Sequence, residues 1–272
     1  MHAILALAAR HLQEAPKTHE SHPPYEYDVL EAYHLQKALS NFSQTFSHHA
    51  HANQDAMLAT SFLLFFHVSS ALNINPPQAQ PCEDASFTFL RGIQSIVAAG
   101  SLIAHSGCYR TLVAAPVPSP VIVPQAEVCL EPGSAFIQLI SNLPPESPHI
   151  KNREIYIERF ESLTLHLSAS TAHGLKAGAL EELLFSFLRW QALCPPAFVG
   201  LVKAHDAIAL VVLAHYYAAV GSVLSRVDNK WWWFRKKPRH MVKTIGKYIG
   251  PAWAAWLEWP RAAVQRYENI QR

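Results

Sequence analysis

Apolar residues recur along this chain at steps of three and four, which places them on one face of an α-helix. Residues 1–13 read as a helix start with apolar positions all round. Pro16, Pro23 and Pro24 then break the chain, because proline lacks the backbone donor that a helix interior needs. A second helix is predicted from Asp28, with that aspartate as its N-cap. Leu35, Leu39, Phe42 and Phe46 step by 4, 3 and 4 and mark its apolar face. SHHAHANQ, residues 47–54, reads as a polar loop. Met57 to Leu72 contains FLLFF at Phe62–Phe66 and reads as a strongly apolar helix. Ser86 to Ala104 makes a fourth helix, with Phe89, Ile93, Ile96 and Val97 on one stripe.

Residues 110–150 break this rhythm. Eight prolines fall between Pro116 and Pro148, so a loop, lid or irregular wall is expected there. Helical spacing resumes at Asn152, and Tyr156, Phe160, Leu163 and Leu167 again step by 4, 3 and 4. Gly174 to Cys194 is an apolar helix stopped by Pro195 and Pro196. Asp206 to Arg226 encloses a stretch without formal charge that is about long enough to cross a bilayer. Its His215, Tyr216, Tyr217 and Gly221, with a charge close at each end, favour a buried core helix over a span. Pro238 and Pro260 are expected to open the last two helices. No alternating strand pattern and no solenoid repeat occurs. The expectation is therefore all-α: one irregular domain over residues 1–272, of about nine to eleven helices, with a proline-rich loop or lid at about 110–150.

Composition sharpens this picture. Hydrophobic residues make up 50% of the chain and charged residues 15%, against about 25% charged in ordinary soluble domains. Much apolar surface has to be covered by the chain's own core, a partner, or a greasy ligand. The net charge of +2 makes no general case for nucleic acid. Cys82, Cys108, Cys129 and Cys194 include no CxxC pair, which excludes a zinc-cluster spacing and fits a reducing, intracellular compartment. The apolar N-terminus lacks the basic lead of a signal peptide.

Candidate chemistry is sparse. Of sixteen histidines, His48, His49 and His51 share one stretch without a carboxylate, so a solvated loop is preferred to a metal site. His105, His205 and His215 lie in apolar contexts and read as buried, hydrogen-bonded side chains. No GxSxG elbow or phosphate-binding glycine pattern occurs. Glu181 and Glu182 point about 100° apart on a helix and form no acid/base pair. No catalytic residue, metal or cofactor is assigned, and the chain is not read as an enzyme. Arg226–Lys247 is the one charge anomaly, with eight Lys/Arg and one acid, a local +7. Within it, Arg235, Lys236, Lys237 and Arg239 form a basic patch of the kind an import receptor reads. The interleaved Trp231–Phe234 read either as core plugs or as stacking platforms.

The order of several stretches resembles a known family. HAILALAARHL, YHLQKALSNFSQTF, DAMLATSFLLFF and FTFLRGIQSIV resemble the opening of the fungal-specific regulatory domain in sterol uptake control transcription factors. The C-terminal half adds a helix of the LAHY type (Leu213–Tyr216), the pair Trp232–Trp233, and a closing W-L-x-W-P at Trp256–Pro260. The resemblance implies an α-helical, often dimeric fold whose hydrophobic pocket takes a sterol and whose occupancy controls activity in the nucleus. It also implies a DNA-reading binuclear zinc cluster N-terminal to this region, which this chain lacks.

Helices rich in Phe, Leu and Trp with few charges suit an apolar cavity between them. Phe62, Phe66, Phe89, Ile93, Phe187, Trp190, Leu213 and Tyr217 are the candidate lining, and simple core filling is the competing reading. The expected partners are a sterol-like lipophilic molecule and a second copy of the chain, with DNA reached only through the zinc cluster and no integral membrane association. The expected location is the nucleus, with cytoplasmic retention as its alternative. A helical lipid carrier or biosynthetic enzyme on the same shell is the other reading, followed by a membrane-associated helical protein.

Overall fold

A computed structural model describes residues 1–14, 24–48, 54–70, 86–87, 89–93, 131–172, 174–227 and 229–270. Among these residues are eleven α-helices and no strand, so the chain is all-α. The helices gather into two compact units.

The first unit holds α1 (His2–Glu14), α2 (Pro24–His48), α3 (Gln54–Ser70), the helical residues 86–87 and 89–93, and Trp232–Phe234 from far along the chain. α2 begins at Pro24 rather than after Asp28, because proline's fixed φ suits a first helical turn. It continues through His48, so the stretch read as a loop is helical at Ser47, His48 and Gln54. His49 and His51 lie outside the described residues. The buried line of α2 passes through Ala38, while Leu39 is 43% exposed. Ala3, Ala6 and Ala9 form a matching small-residue stripe on α1. Such stripes let helices approach closely. Leu35, Phe42, Leu63 and Phe89 pack round the cluster of Ala3, Ala38 and Leu64.

A polar clamp ties these three helices. Glu31 on α2 meets His67 on α3 at 2.8 Å and accepts from Gln13 on α1 at 2.7 Å. Burial alone would raise the Glu31 carboxyl, but His67, Arg10 and Gln13 outweigh it and hold its pKa below the ordinary value. Trp233 adds aromatic cover, with its ring 4.5 Å from Phe66 and 5.6 Å from Phe65.

The second unit is built round α8 (Ala207–Leu224). Its side chains from Ile208 to Leu213 are fully buried, on every side of the helix. α8 is long and apolar enough to cross a membrane, and 89% of that window is buried inside the protein. α5 (Arg153–Thr171), α6 (Ala177–Ala192), α7 (Pro196–Lys203), α10 (Lys237–Tyr248) and α11 (Glu258–Ile270) all pack on it. The short α9 (Trp232–Arg235) precedes α10. Glycine at 221 suits the packing of α10, because a Cβ there would lie 3.3 Å from the Pro238 ring, a tight contact. α7 was not anticipated: Pro196 follows the break after α6 and stands at the first position of a new helix.

The proline-rich segment also holds a helix, α4 (Glu131–Ser141), where an irregular wall was expected. Pro132 falls in its first turn, where proline is tolerated, and no proline follows until Pro144. Residues 110–130 lie outside the described residues. Phe136 of α4 packs on Phe160 of α5 at 4.8 Å and on Trp256 at 5.1 Å.

Several polar side chains in this unit bond to the backbone or to one another. Arg226 caps the end of α5 by donating to the carbonyls of Ser170 and Ala172 at 2.6 and 2.7 Å. The Tyr216 hydroxyl donates to Gln191 Oε1 at 3.0 Å. His215 donates through Nδ1 to the Val211 carbonyl at 2.9 Å and lies stacked with Trp259 at 5.6 Å.

Two outcomes are expected from this packing. Trp233→Ala opens a cavity beside Phe65 and Phe66 and lowers unfolding stability by about 3–5 kcal/mol, read by urea denaturation. Burial pushes His215 from 6.5 down to about 4. The native imidazole thus stays neutral in a range where the unfolded one takes a proton. Its contribution is complete above the unfolded value and falls away as pH drops toward the folded one. Between pH 7 and pH 5 the protein should lose about 2 kcal/mol more than the His215→Phe variant. Equal losses in the two proteins would contradict the assignment.

Candidate functional site

The eight candidate ligand residues divide between the two units. In the first, Phe62 and Phe66 are half-buried neighbours on α3, with rings 6.3 Å apart. Phe89 packs on the alanine cluster, and Ile93 is buried. In the second, Phe187, Leu213 and Tyr217 are fully buried and Trp190 nearly so. Tyr216, which the spacing argument did not single out, gathers three of these. Trp190 stacks on it at 5.0 Å, while Phe187 and Tyr217 meet it edge-on at 5.8 and 5.0 Å. The second set is therefore packed core. Each quartet is local to its own unit.

Among the described residues, the first unit holds open space. A half-open groove of about 240 Å³ runs between α1, α2 and α3. Ala3, Ala38, Phe42 and Met57 supply its apolar surface, and Asn41, Thr45 and Thr60 bring polar groups to it. His2 also lines it and is held by a 2.9 Å contact between its Nδ1 and that of His34. None of the eight candidates lines this groove. The groove exists where short alanines face one another, and helical spacing reports faces rather than voids. An apolar molecular end with a hydrogen-bonding group near the mouth would suit it.

A polar corner forms at the start of α8. Asp206 is the N-cap, and its Oδ1 accepts from the Ala209 amide at 3.0 Å. Its Oδ2 lies 2.8 Å from His149 Nδ1, so that nitrogen carries the proton it donates. Tyr156 is buried beside them, and its hydroxyl makes no hydrogen bond of ordinary geometry. Burial first, and then the Asp206 charge, raise its pKa. His205, just before the cap, takes a φ of 57°, the left-handed region that side chains other than glycine rarely adopt. This corner caps the start of the buried helix.

A serine–histidine pair lies inside the second unit. His166 Nε2 is 2.7 Å from Ser186 Oγ, and Nδ1 donates to the Ser162 carbonyl at 3.1 Å. Burial lowers the His166 pKa. The distance suits a nucleophile and base. Both residues are nevertheless buried, and the ring is oriented by a carbonyl rather than a carboxylate. It is a core hydrogen bond. Cys194 is buried too, its thiol pushed up to about 12 by burial. Among the described residues, no three His, Cys, Asp or Glu side chains gather as a metal site.

The basic patch is split by folding. Lys237 is buried and Arg235 half-buried, with Arg235 donating to the Val227 carbonyl at 3.3 Å. Lys236 and Arg239 are exposed. Lys230 pairs with Glu181.

No protein-family model matches the chain, and neither a curated protein nor a solved structure is detectably similar to it.

The cap at Asp206 has a direct test. Asp206→Ala removes an acceptor for the α8 terminus and the His149 partner, and should cost about 1–2 kcal/mol in urea unfolding. Asp206→Asn keeps the cap acceptor and should cost less than half as much.

Proposed function

We propose that this chain is the ligand-sensing regulatory region of a fungal zinc-cluster transcription factor acting on RNA polymerase II genes. Its ligand is a lipophilic small molecule, sterol-like in class. Its DNA contacts come through a zinc cluster outside this chain, its working form is a homodimer, and its site of action is the nucleus. It is not an enzyme.

The observation that carries this reading is that stretches bearing the family resemblance pack against one another within each unit. His215 and Tyr216 of the LAHY helix lie in the second core, where Trp259 of W-L-x-W-P stacks on His215. Trp233 of the tryptophan pair lies against Phe65 and Phe66 of FLLFF. Motifs far apart in sequence thus act as packing partners, as segments of one inherited fold do. The groove between α1, α2 and α3 supplies an apolar recess with polar groups beside it. At about 240 Å³ it is smaller than the roughly 300–1,000 Å³ of a site that encloses a drug-sized ligand, so it would seat one end of a sterol-sized molecule. On α1 and α2, Ile4, Leu12, Val29 and Tyr33 are each more than half exposed, an apolar surface that suits a second copy.

A helical lipid carrier would use the same groove and differ in having no transcriptional output. The deciding measurement is mass spectrometry of an organic extract of the purified protein, followed by titration with a fluorescent sterol. A bound lipophile and saturable uptake of one equivalent are expected. Thr45→Trp with Ala56→Trp, which fills the groove from its edge, should weaken uptake at least tenfold without lowering the melting temperature. An empty extract with no saturable uptake overturns the ligand reading.

A further inference from the structure

The solvent face of α10 carries a single line of cations. Lys236, Arg239, Lys243 and Lys247 are all exposed and step by 3, 4 and 4, so they share one side of the helix. Pro238, Met241, Val242 and Ile245 occupy the other side and are buried. The four span eleven residue steps, or roughly 16 Å of helix axis. The chain from Asn229 to Leu257 has seven Lys/Arg and no Asp or Glu. α11, which packs beside α10, adds Glu258 and Glu268 against Arg261 and Arg266, and so brings no net charge. Arg261 reaches the Gly246 carbonyl at 3.4 Å and places a further cation near this helix. The local field is felt by His240 on α10, whose pKa is lowered first by burial and then by Lys237 and Lys247.

We propose that this stripe binds the phosphate backbone of double-stranded nucleic acid without reading its bases. The apolar side of α10 faces the protein core, so the helix cannot lie in a membrane interface with that side downward. A protein partner would call for apolar or aromatic anchors among the charges. Here the stripe is cationic from end to end, with Tyr248 exposed only beyond it. A duplex carries a phosphate every ~3.4 Å along each strand, so a line of cations roughly 16 Å long faces several phosphates at once. The contact rests on the folded face of α10 rather than on a linear basic peptide, because Lys237 of the basic run is buried. It does not depend on the sterol reading.

The test is fluorescence anisotropy of the full chain with a labelled duplex of arbitrary sequence across a salt series. Four phosphate contacts predict a log–log salt slope of about −3.6, and an affinity loss of about a hundredfold between ~50 and ~200 mM salt. Changing Lys236, Arg239, Lys243 and Lys247 to Gln should abolish this binding while the melting curve is kept. Changing Lys236, Lys243 and Lys247 to Arg should retain it. A control set, Lys151→Gln, Lys176→Gln and Lys203→Gln, removes exposed charges elsewhere and should leave more than half the affinity. The proposal is overturned by a salt-independent or absent interaction of the unaltered protein, by equal loss in the control set, or by binding to phosphatidylserine vesicles in place of the duplex.

Discussion

Burial of the apolar helix α8 is the constraint on which the second unit depends. A helix with no charge over its length and apolar side chains on every face has no side to offer to water. Five helices cover it, and its own termini need polar partners. Asp206 supplies these at the start of the helix, itself held by His149. Gly221 then allows α10 to close over the far end. Many of the unit's aromatic contacts follow from the same demand, since Phe136, Phe160 and Trp259 all reach His215.

The first unit solves a different problem. Its α1 and α2 are less apolar, and small alanines rather than large side chains bring them together. Close approach leaves large apolar residues such as Ile4 and Val29 outside. It also leaves the groove beside Ala38, because a short side chain fills less volume than its neighbours enclose. The Arg10–Glu31–His67 clamp then fixes how the three helices meet, through directional contacts that apolar packing alone does not provide.

These two kinds of packing give the two units different interiors. Phe187, Trp190 and Tyr217 meet round Tyr216 and stabilise the unit through contact with one another. In the first unit an alanine-lined groove stays open, and in the second the outer face of α10 carries exposed cations.

Helical class, the buried character of α8 and the apolar line Tyr156–Phe160–Leu163 were legible in the sequence, because a periodic apolar face is a local property of the chain. So was the basic excess after Arg226. Helix limits were legible only in part: proline marked breaks correctly before Asn152 and after Cys194, yet it also opened α2 and α7, since its effect depends on its position within a turn. The groove, the division of the eight candidates into two quartets, the role of Tyr216 and the sorting of basic residues into buried and exposed were decided only by tertiary structure. Each depends on which helices become neighbours and how closely they approach, and the spacing of residues along one helix carries no record of either.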